Sequence, residues 1–258
     1  MSTKVNVIRQ DEIARIVFSN DEPGKPPTLS IKILTDLEHC IAEINSHIDD
    51  YRVVVVESDS DKYFIVGANI ESLKNININT IENWVNKFQS VFNKFESIQI
   101  PTIAKVQGYA LGGGLELILR SDFIIGEKKS YYGQPEASLG FVPGAGGSYK
   151  LTQRVGEAKS KELFFRGNII DGNEAYRIGL INHVCEDNQI ESYLNEIIVD
   201  IKKNDSFAIK LIKKMISNIA NQNNHQSYHQ EFLASIDCVS LGENIKRIEK
   251  FLKRKNKR

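Results

Sequence analysis

The chain has 258 residues, and its 33 lysines and arginines balance its 33 aspartates and glutamates. The resulting net charge of +0 provides no long-range field to attract nucleic acid, so a nucleic-acid partner is not favoured. A hydrophobic content of 41% with 26% charged residues is typical of a folded globular protein. The three cysteines form no CxxC pair, which argues against a disulfide framework or a zinc ribbon. Without a signal-peptide pattern or a long apolar run, we expect a cytoplasmic protein that does not enter a membrane.

The first part of the chain alternates strand patterns with a helical one. Two apolar runs, Lys4–Ile8 and Ile13–Phe18, predict a hairpin. A helix capped by Thr28 or Ser30 is expected next. Its predicted apolar face consists of Ile33, Leu34, Leu37, Ile41 and Ile44. The β-branched run Arg52–Val56 then predicts a strand buried on both faces, as in a parallel sheet.

The same order recurs further along the chain. Helical spacing over Ile81–Ile98 precedes a strand at Pro101–Val106, and a helix at Gly112–Leu119 precedes a strand at Phe123–Ile125. Alternation of this kind predicts an α/β fold with crossover connections.

From about Glu191 onward the patterns are helical only, which predicts a domain boundary near residues 187–205. We assign residues 1–195 to a core and 196–258 to a helical region. The predicted helices of that region are Ile197–Lys203, Phe207–Ile219 and Ile245–Leu252, with a loop at Asn221–His225.

The most informative glycines lie where a strand turns into a helix. The segment Gly108–Gly114 ends in three consecutive glycines and opens directly into a helical pattern. Small residues there let the backbone approach a ligand and expose N–H groups at the helix start. A P-loop is excluded, because Leu115 and Glu116 stand where Lys-Ser/Thr is required. A tight turn that needs small residues only for packing is the plainer alternative.

A second exposed amide is predicted after the apolar run that begins at Tyr63. That run ends in Gly67 and Ala68, which leaves the N–H of Ala68 exposed at a turn. Two amides from separate loops can meet on one carbonyl oxygen and hold the negative charge of an enolate.

Two glutamates complete the candidate site. Glu116 follows the glycines in the first helical turn, and Glu136 lies in the segment Gln134–Gly140. One strand between Glu116 and Glu136 would return the chain to the same edge of the sheet, so that both glutamates lie there. Two carboxyl groups facing one pocket can hold a water molecule, one as base and the other as acid. Considered alone, Glu116 would be interpreted as a carboxylate that stabilises the N-terminus of a helix through the helix dipole, and Glu136 as an acidic residue on the surface.

Three segments together, Phe64–Asn69, Gly108–Glu116 and Tyr132–Gly147, resemble the crotonase (enoyl-CoA hydratase/isomerase) superfamily. The similarity covers nearly the whole chain. It implies an α/β fold of the crotonase (ClpP-like) type, a spiral of ββα units followed by a C-terminal helical trimerisation region. It also implies a lyase of fatty acid metabolism that acts on an acyl-CoA thioester, as a homotrimer or a hexamer.

The resemblance further implies a role for individual residues. The N–H groups of Ala68 and Gly113 would form the oxyanion hole. Glu116 would be the base that acts on water, and Glu136 the acid that protonates the α-carbon. The amide of Gly144 would position the water, and no cofactor is expected, since coenzyme A is part of the substrate.

Contacts with coenzyme A or the acyl chain are expected from a further set of residues. These are Lys25, Gly67, Asn69, Ile70, Gly112 and Pro135. Lys25 would meet a phosphate as a point charge, although a solvated loop lysine is the plainer interpretation. Asn69 stands where the family usually has an aspartate, and Ile65 and Val66 are bulkier than usual, so the substrate pocket is expected to differ.

Both glutamates together favour enoyl-CoA hydration, and three alternatives remain. An isomerase that shifts the double bond would need only Glu136. A dehydratase of the same fold would act on an acyl group tethered to a carrier protein. A non-catalytic scaffold or RNA-binding homologue would bind RNA in a salt-sensitive manner without turnover.

Overall fold

A computed structural model describes residues 3–218, 224–240, 246–247 and 253. The strands of this part are β1 (Thr3–Gln10), β2 (Ile13–Asn20), β3 (Val53–Ser58), β4 (Tyr63–Ile65), β5 (Thr102–Val106), β6 (Tyr109–Leu111), β7 (Phe123–Glu127), β8 (Tyr131–Gly133), β9 (Ile170–Asp171) and β10 (His183–Cys185). The helices are α1 (Ile31–Ser46), α2 (Ile70–Leu73), α3 (Ile81–Glu96), α4 (Gly113–Ile118), α5 (Gly147–Val155), α6 (Glu157–Arg166), α7 (Gly172–Arg177), α8 (Ile190–Lys203), α9 (Ser206–Asn218) and α10 (Asn224–Ser240). Short 3-10 turns lie at Ile48–Asp50 and Glu136–Leu139.

The larger sheet has the strand order β1-β2-β3-β5-β7-β10. Strands β1 and β2 form the predicted antiparallel hairpin, and every later pairing in this sheet is parallel. All six residues of β3 are buried, as its β-branched composition predicts for a strand covered on both faces. The predicted α/β fold with parallel crossovers is confirmed.

A smaller sheet has the order β4-β6-β8-β9. Its first three strands pair in parallel, and β9 closes the edge in the antiparallel sense. The chain between Glu116 and Glu136 therefore contains two strands, β7 in the larger sheet and β8 in the smaller. Our expectation of a single intervening strand is wrong, because β8 has only three residues and shows no strand pattern of its own.

Helices α1 and α3 pack against each other beside the larger sheet. The Ser30 hydroxyl accepts a hydrogen bond from the N–H of Ile33 and caps α1, which decides between the two predicted caps. The buried side chains of α1 include all five predicted apolar positions. Glu38 of α1 binds both Lys87 and Lys94 of α3, so ion pairs as well as apolar contacts join the two helices.

Two compact units divide the chain, Met1–Ile201 and Lys202–Arg258. Helices α9 and α10 belong to the second unit. The predicted loop at Asn221–His225 is wrong at its end, since α10 begins at Asn224, while residues 221–223 lie outside the described part. The predicted helix Ile245–Leu252 lies outside it as well, apart from residues 246–247. Among the described residues, no helix combines the length and the apolar character needed to cross a membrane.

Candidate active site

The parallel strands of the smaller sheet end at one place, and each is followed by residues of the candidate site. The chain after β4 carries Gly67 and Ala68, and the chain after β6 carries Gly112 and Gly113. The chain after β8 leads to Glu136. Because the carboxyl ends of neighbouring parallel strands lie at one edge of a sheet, the three turns meet there, as in many ligand sites of α/β proteins.

Two backbone amides face the space between the first two turns. Ala68 is held by a bridge to Leu29, in which the N–H of Leu29 donates to Gly67 and the N–H of Asn69 donates to Leu29, both at 2.8 Å. Gly113 is the first residue of α4, where an N–H has no acceptor within the helix. Among the described residues, neither the N–H of Ala68 nor that of Gly113 has a hydrogen-bond acceptor. A carbonyl oxygen placed between these two N–H groups would accept a hydrogen bond from each of them.

The carboxyl group of Glu116 is deeply buried in the first turn of α4, and the residue is only 4% exposed. The N–H groups of Ala145 and Gly147 donate to its Oε1 at 2.7 and 2.8 Å. Burial raises the pKa of Glu116, whereas these two hydrogen bonds and the positive charge of Arg120 act in the opposite direction. The carboxyl group is thus fixed in place by the backbone of the following loop.

Glu136 begins the 3-10 turn after β8 and is half-buried. The side-chain amide of Gln134 lies against it and, with its nitrogen toward the carboxylate, donates to Oε1 at 2.7 Å and to Oε2 at 2.9 Å. Burial raises the pKa of Glu136 to about 7, and the negative charge of Glu116 contributes to the rise. A carboxyl group of this kind is half-protonated near neutral pH and can serve as an acid or a base.

Both glutamates and both amides line one cavity of about 90 Å³. Apolar side chains form the rest of its wall. The lining residues are Val66, Gly67, Ala68, Ile70, Leu73, Trp84, Phe88, Gly112, Gly113, Glu116, Pro135, Glu136, Leu139, Phe141, Val142, Gly144 and Ala145. A small apolar cavity with a few converging polar groups suits a short acyl chain with a reactive carbonyl.

The structure brings most of the predicted site residues to this cavity, but not all of them. Lys25 lies in an exposed loop and pairs with Glu22 at 2.6 Å. Asn69 caps α2, since its side-chain oxygen accepts from the N–H of Ser72 at 3.0 Å. Among the described residues that line the cavity, neither Lys25 nor Asn69 is present. Of the bulky pair before Gly67, Val66 lines the cavity and Ile65 is buried in the core.

Two residues of the site were not singled out from the sequence. Gln134 is a neighbour of Glu136 in the chain, and its position two residues before a candidate acid is the signal that could have identified it. Arg120 follows Glu116 by four residues, one helical turn, and this spacing is a weaker signal. Its partners come from α3 and α5, which sequence spacing does not connect to it.

Comparison with known proteins shows the family to which the chain belongs. The model of the enoyl-CoA hydratase/isomerase family matches residues 9–255. The chain therefore belongs to the enoyl-CoA hydratase/isomerase family, which places it in the crotonase superfamily, as the sequence motifs predict.

Two relatives in sequence indicate the part of the family to which the chain is similar. A short-chain-enoyl-CoA hydratase of Clostridium acetobutylicum is 35% identical over 216 residues, which cover 82% of this chain and 81% of the relative. A crotonyl-CoA hydratase of Syntrophomonas wolfei is 31% identical over 210 residues, with 81% and 80% covered.

Solved structures show the same fold. The enoyl-CoA hydratase of Bacillus anthracis superposes with a TM-score of 0.89 at 27% identity, covering 98% of this chain and 97% of that one. The enoyl-CoA hydratase of Thermoplasma volcanium GSS1 gives a TM-score of 0.85 at 29% identity, with 95% and 96% covered. The crotonase fold predicted from the motifs is confirmed.

Proposed function

We propose that this protein is an enoyl-CoA hydratase that adds water reversibly to a trans-2-enoyl-CoA and forms a 3-hydroxyacyl-CoA. The observation that carries the proposal is the cavity in which Glu116 and Glu136 lie together with the N–H groups of Ala68 and Gly113. The names of the similar hydratases support the same reaction.

The reaction follows from the chemistry of these groups. The thioester oxygen accepts hydrogen bonds from Ala68 and Gly113, which stabilise the negative charge that develops on it. Ionised Glu116 takes a proton from water while the water oxygen bonds to C3. The electron pair of the double bond moves toward C2, and protonated Glu136 gives C2 its proton. In the reverse direction each glutamate performs the opposite transfer.

Other predicted residues have supporting parts in this proposal. The Gly144 amide would hold the attacking water, and Gly67, Ile70, Gly112 and Pro135 would contact the substrate from the cavity wall. Asn69 and Lys25 could meet only those parts of coenzyme A that extend beyond the cavity. The reaction needs no cofactor, because coenzyme A enters as part of the substrate.

The size of the cavity favours a short acyl chain. A cavity of about 150 Å³ in a protein core is sufficient to bind benzene, and the space here is about 90 Å³. Trp84 and Phe88 occupy the wall, with ring centroids 4.2 Å apart. The limited space thus favours a short enoyl-CoA, such as crotonyl-CoA, as substrate.

The function is tested with the variants Glu116→Gln and Glu136→Gln and crotonyl-CoA as substrate. Each change removes one proton transfer at nearly unchanged size, so the rate of hydration should fall by roughly 10²–10⁴-fold in each variant. Circular dichroism and thermal unfolding of the variants establish that both remain folded.

Other outcomes would favour the alternatives. Full double-bond isomerisation by Glu116→Gln would indicate an isomerase that uses only Glu136. A strong preference for acyl groups on a carrier protein would indicate a dehydratase. Salt-sensitive RNA binding without turnover of any acyl-CoA would indicate a non-catalytic homologue.

A further inference from the structure

A buried arginine lies directly behind the loop that holds Glu116. The side chain of Arg120, which follows α4, is 2% exposed. Its Nη1 donates to the side-chain oxygen of Asn93 at 2.9 Å and to the carboxylate of Glu96, both on α3. Its Nη2 donates to the Tyr149 hydroxyl of α5 at 2.6 Å and to the backbone oxygen of Ala145 at 2.8 Å.

The last of these hydrogen bonds links Arg120 to the proposed base through a single residue. The oxygen of Ala145 accepts from Arg120, and the N–H of Ala145 donates to Oε1 of Glu116. The N–H of Gly147 donates to the same oxygen. Among the described residues no donor reaches Oε2 of Glu116, so Oε2 is the oxygen that can accept a proton from water.

The loop is also in close contact with the guanidinium group. Gly146 has a φ of +100°, and a Cβ added there would lie 2.4 Å from Nη2 of Arg120. The turn over residues 144–147 therefore follows the surface of the arginine, and a glycine is required where the two meet.

Further charges surround Arg120 and compensate its burial. Glu96 accepts from both Arg120 and Lys150, and although burial raises the pKa of Glu96, these two donors hold it below its usual value. Glu96 is therefore an anion at neutral pH and neutralises part of the positive charge. The other charged group that faces Glu116 across the cavity is Glu136.

We propose that Arg120 is a positioning residue for the proposed base Glu116. It holds the loop 144–147 so that two amides fix Oε1 and leave Oε2 directed at the water. Its positive charge, one helical turn from Glu116, also favours the ionised carboxylate that takes the proton. This inference rests on the proposed hydration reaction.

The test compares Arg120→Gln and Arg120→Lys with the surface control Arg166→Gln. Arg166 is 64% exposed at its side chain, pairs with Glu162 on α6 and is not among the residues that line the cavity. We expect Arg120→Gln to lower kcat for crotonyl-CoA by roughly 10–100-fold while KM changes little, because a misplaced base reacts poorly. Arg120→Lys keeps the charge but not the fork of donors and should recover part of kcat. The control should retain the wild-type rate.

The pH profile separates positioning from a merely structural role. Without the cation the pKa of Glu116 rises, so the acid limb of kcat should move to higher pH in Arg120→Gln and less in Arg120→Lys. Tyr149→Phe removes one partner of the guanidinium while keeping its bond to Ala145, and it provides a milder variant if Arg120→Gln does not fold. A smaller drop in kcat with an unchanged acid limb is then expected, because Arg120 keeps its charge.

Two results would overturn the inference, and they differ from each other. Unchanged kcat and pH profile in folded variants, with the wild-type chain active, would show that Arg120 serves stability alone. Failure of the wild-type chain to hydrate crotonyl-CoA would overturn the proposed function, and this inference with it.

Discussion

Glu116 and Glu136 have different surroundings in the same cavity. Burial raises the pKa of Glu116, but two backbone N–H groups and the positive charge of Arg120 oppose this rise and favour its ionised form. For Glu136, burial above all and also the repulsion of the other carboxylate raise the pKa to about 7 and favour the protonated form. The amide of Gln134, which donates to the carboxylate oxygens, acts in the opposite direction. Environment thus separates the roles of two chemically identical side chains.

This difference predicts a pH dependence at the residue scale. Because the pKa of Glu136 lies at about 7, the acid form is lost as the pH rises through that value. We expect kcat/KM for hydration to fall by about tenfold per pH unit well above it. Dehydration should fall in parallel, since the reaction takes up no net proton and its equilibrium constant does not change with pH. Initial rates in both directions between pH 5 and 10 measure this, and values of kcat/KM that stay constant well above pH 7 would contradict it.

Neighbouring glycines at the start of α4 allow a second prediction. A Cβ at Gly113 would lie 3.1 Å from the end of the Leu29 side chain and 3.9 Å from the nitrogen of Ala68. Leu29 can shift by a few tenths of an ångström, so Gly113→Ala should fold. The added methyl group would stand beside the two amides and should lower kcat by about tenfold or more.

Gly114→Ala is the matched control for that change. Its Cβ would lie 2.1 Å from the backbone oxygen of Ile65, which cannot move without disturbing β4. We expect a loss of about 3 kcal/mol or more in unfolding free energy. Denaturant unfolding and steady-state kinetics on both variants distinguish the effects, and equal losses of stability in the two would contradict the assignment.

At this scale, the residues predicted from the sequence are those with local signals. Gly113 and Glu116 share one strand-to-helix turn, and Glu136 lies in a motif of its own. Gln134 and Arg120 act through contacts with groups that lie elsewhere in the fold, and neither residue type carries a distinctive signal there. Burial decides the protonation of Glu136, and burial is a property of the tertiary structure.

At the scale of elements, α3 determines how far the cavity extends. Gln89 donates to the backbone oxygen of Gly144 at 2.9 Å, and Glu38 anchors the opposite side of the helix through two lysines. A Cβ at Gly144 would lie 3.5 Å from the ring of Trp84. The helix is therefore held on both sides, and the aromatic wall is fixed in place.

Trp84→Ala should open this wall and extend the range of substrates. We expect the ratio of kcat/KM for an eight-carbon over a four-carbon enoyl-CoA to rise by roughly tenfold or more, because each accommodated methylene adds binding energy. Asn83→Ala, an exposed neighbour on the same helix, is the control. An unchanged ratio in a folded Trp84→Ala variant would show that another element limits the acyl chain, while the hydratase assignment would stand.

The elements that the sequence predicts well are the long ones. The helix α1 and the strand β3 show clear apolar periodicity or a buried β-branched run. In the smaller sheet, the apolar run at Tyr63 indicates the end of a strand at β4, whereas β6 and β8 were not predicted; each of these strands has three residues. Three residues are too few to display alternation, and their pairing depends on partners distant in the chain.

At the scale of the whole molecule, assembly into a homotrimer or hexamer remains a prediction. Large apolar side chains on the first unit are exposed in the single chain, among them Phe165 at 80% and Val142 at 81%. Exposed apolar groups of this kind are compatible with contacts between subunits. Sedimentation velocity should give three or six times the chain mass of 29.2 kDa. A monomer at micromolar concentration would contradict the prediction.

The sequence predicts the fold class and, through its motifs, the family arrangement, but not every sheet. Periodicity and element order indicate an α/β protein, and the three motif segments supply the spiral arrangement through their family. The second sheet beneath the cavity depends on the complete tertiary structure.

The arrangement of the smaller sheet has a consequence for protein engineering. Its three parallel strands are held by backbone hydrogen bonds that do not depend on side-chain identity, while the reactive groups stand in the turns that follow them. The residues that form the sheet and the residues that carry the reactive groups therefore occupy different segments of the chain. Randomised libraries confined to residues 66–70, 115–116 and 134–145 could change the catalysed reaction and leave the hydrogen bonds between β4, β6 and β8 intact.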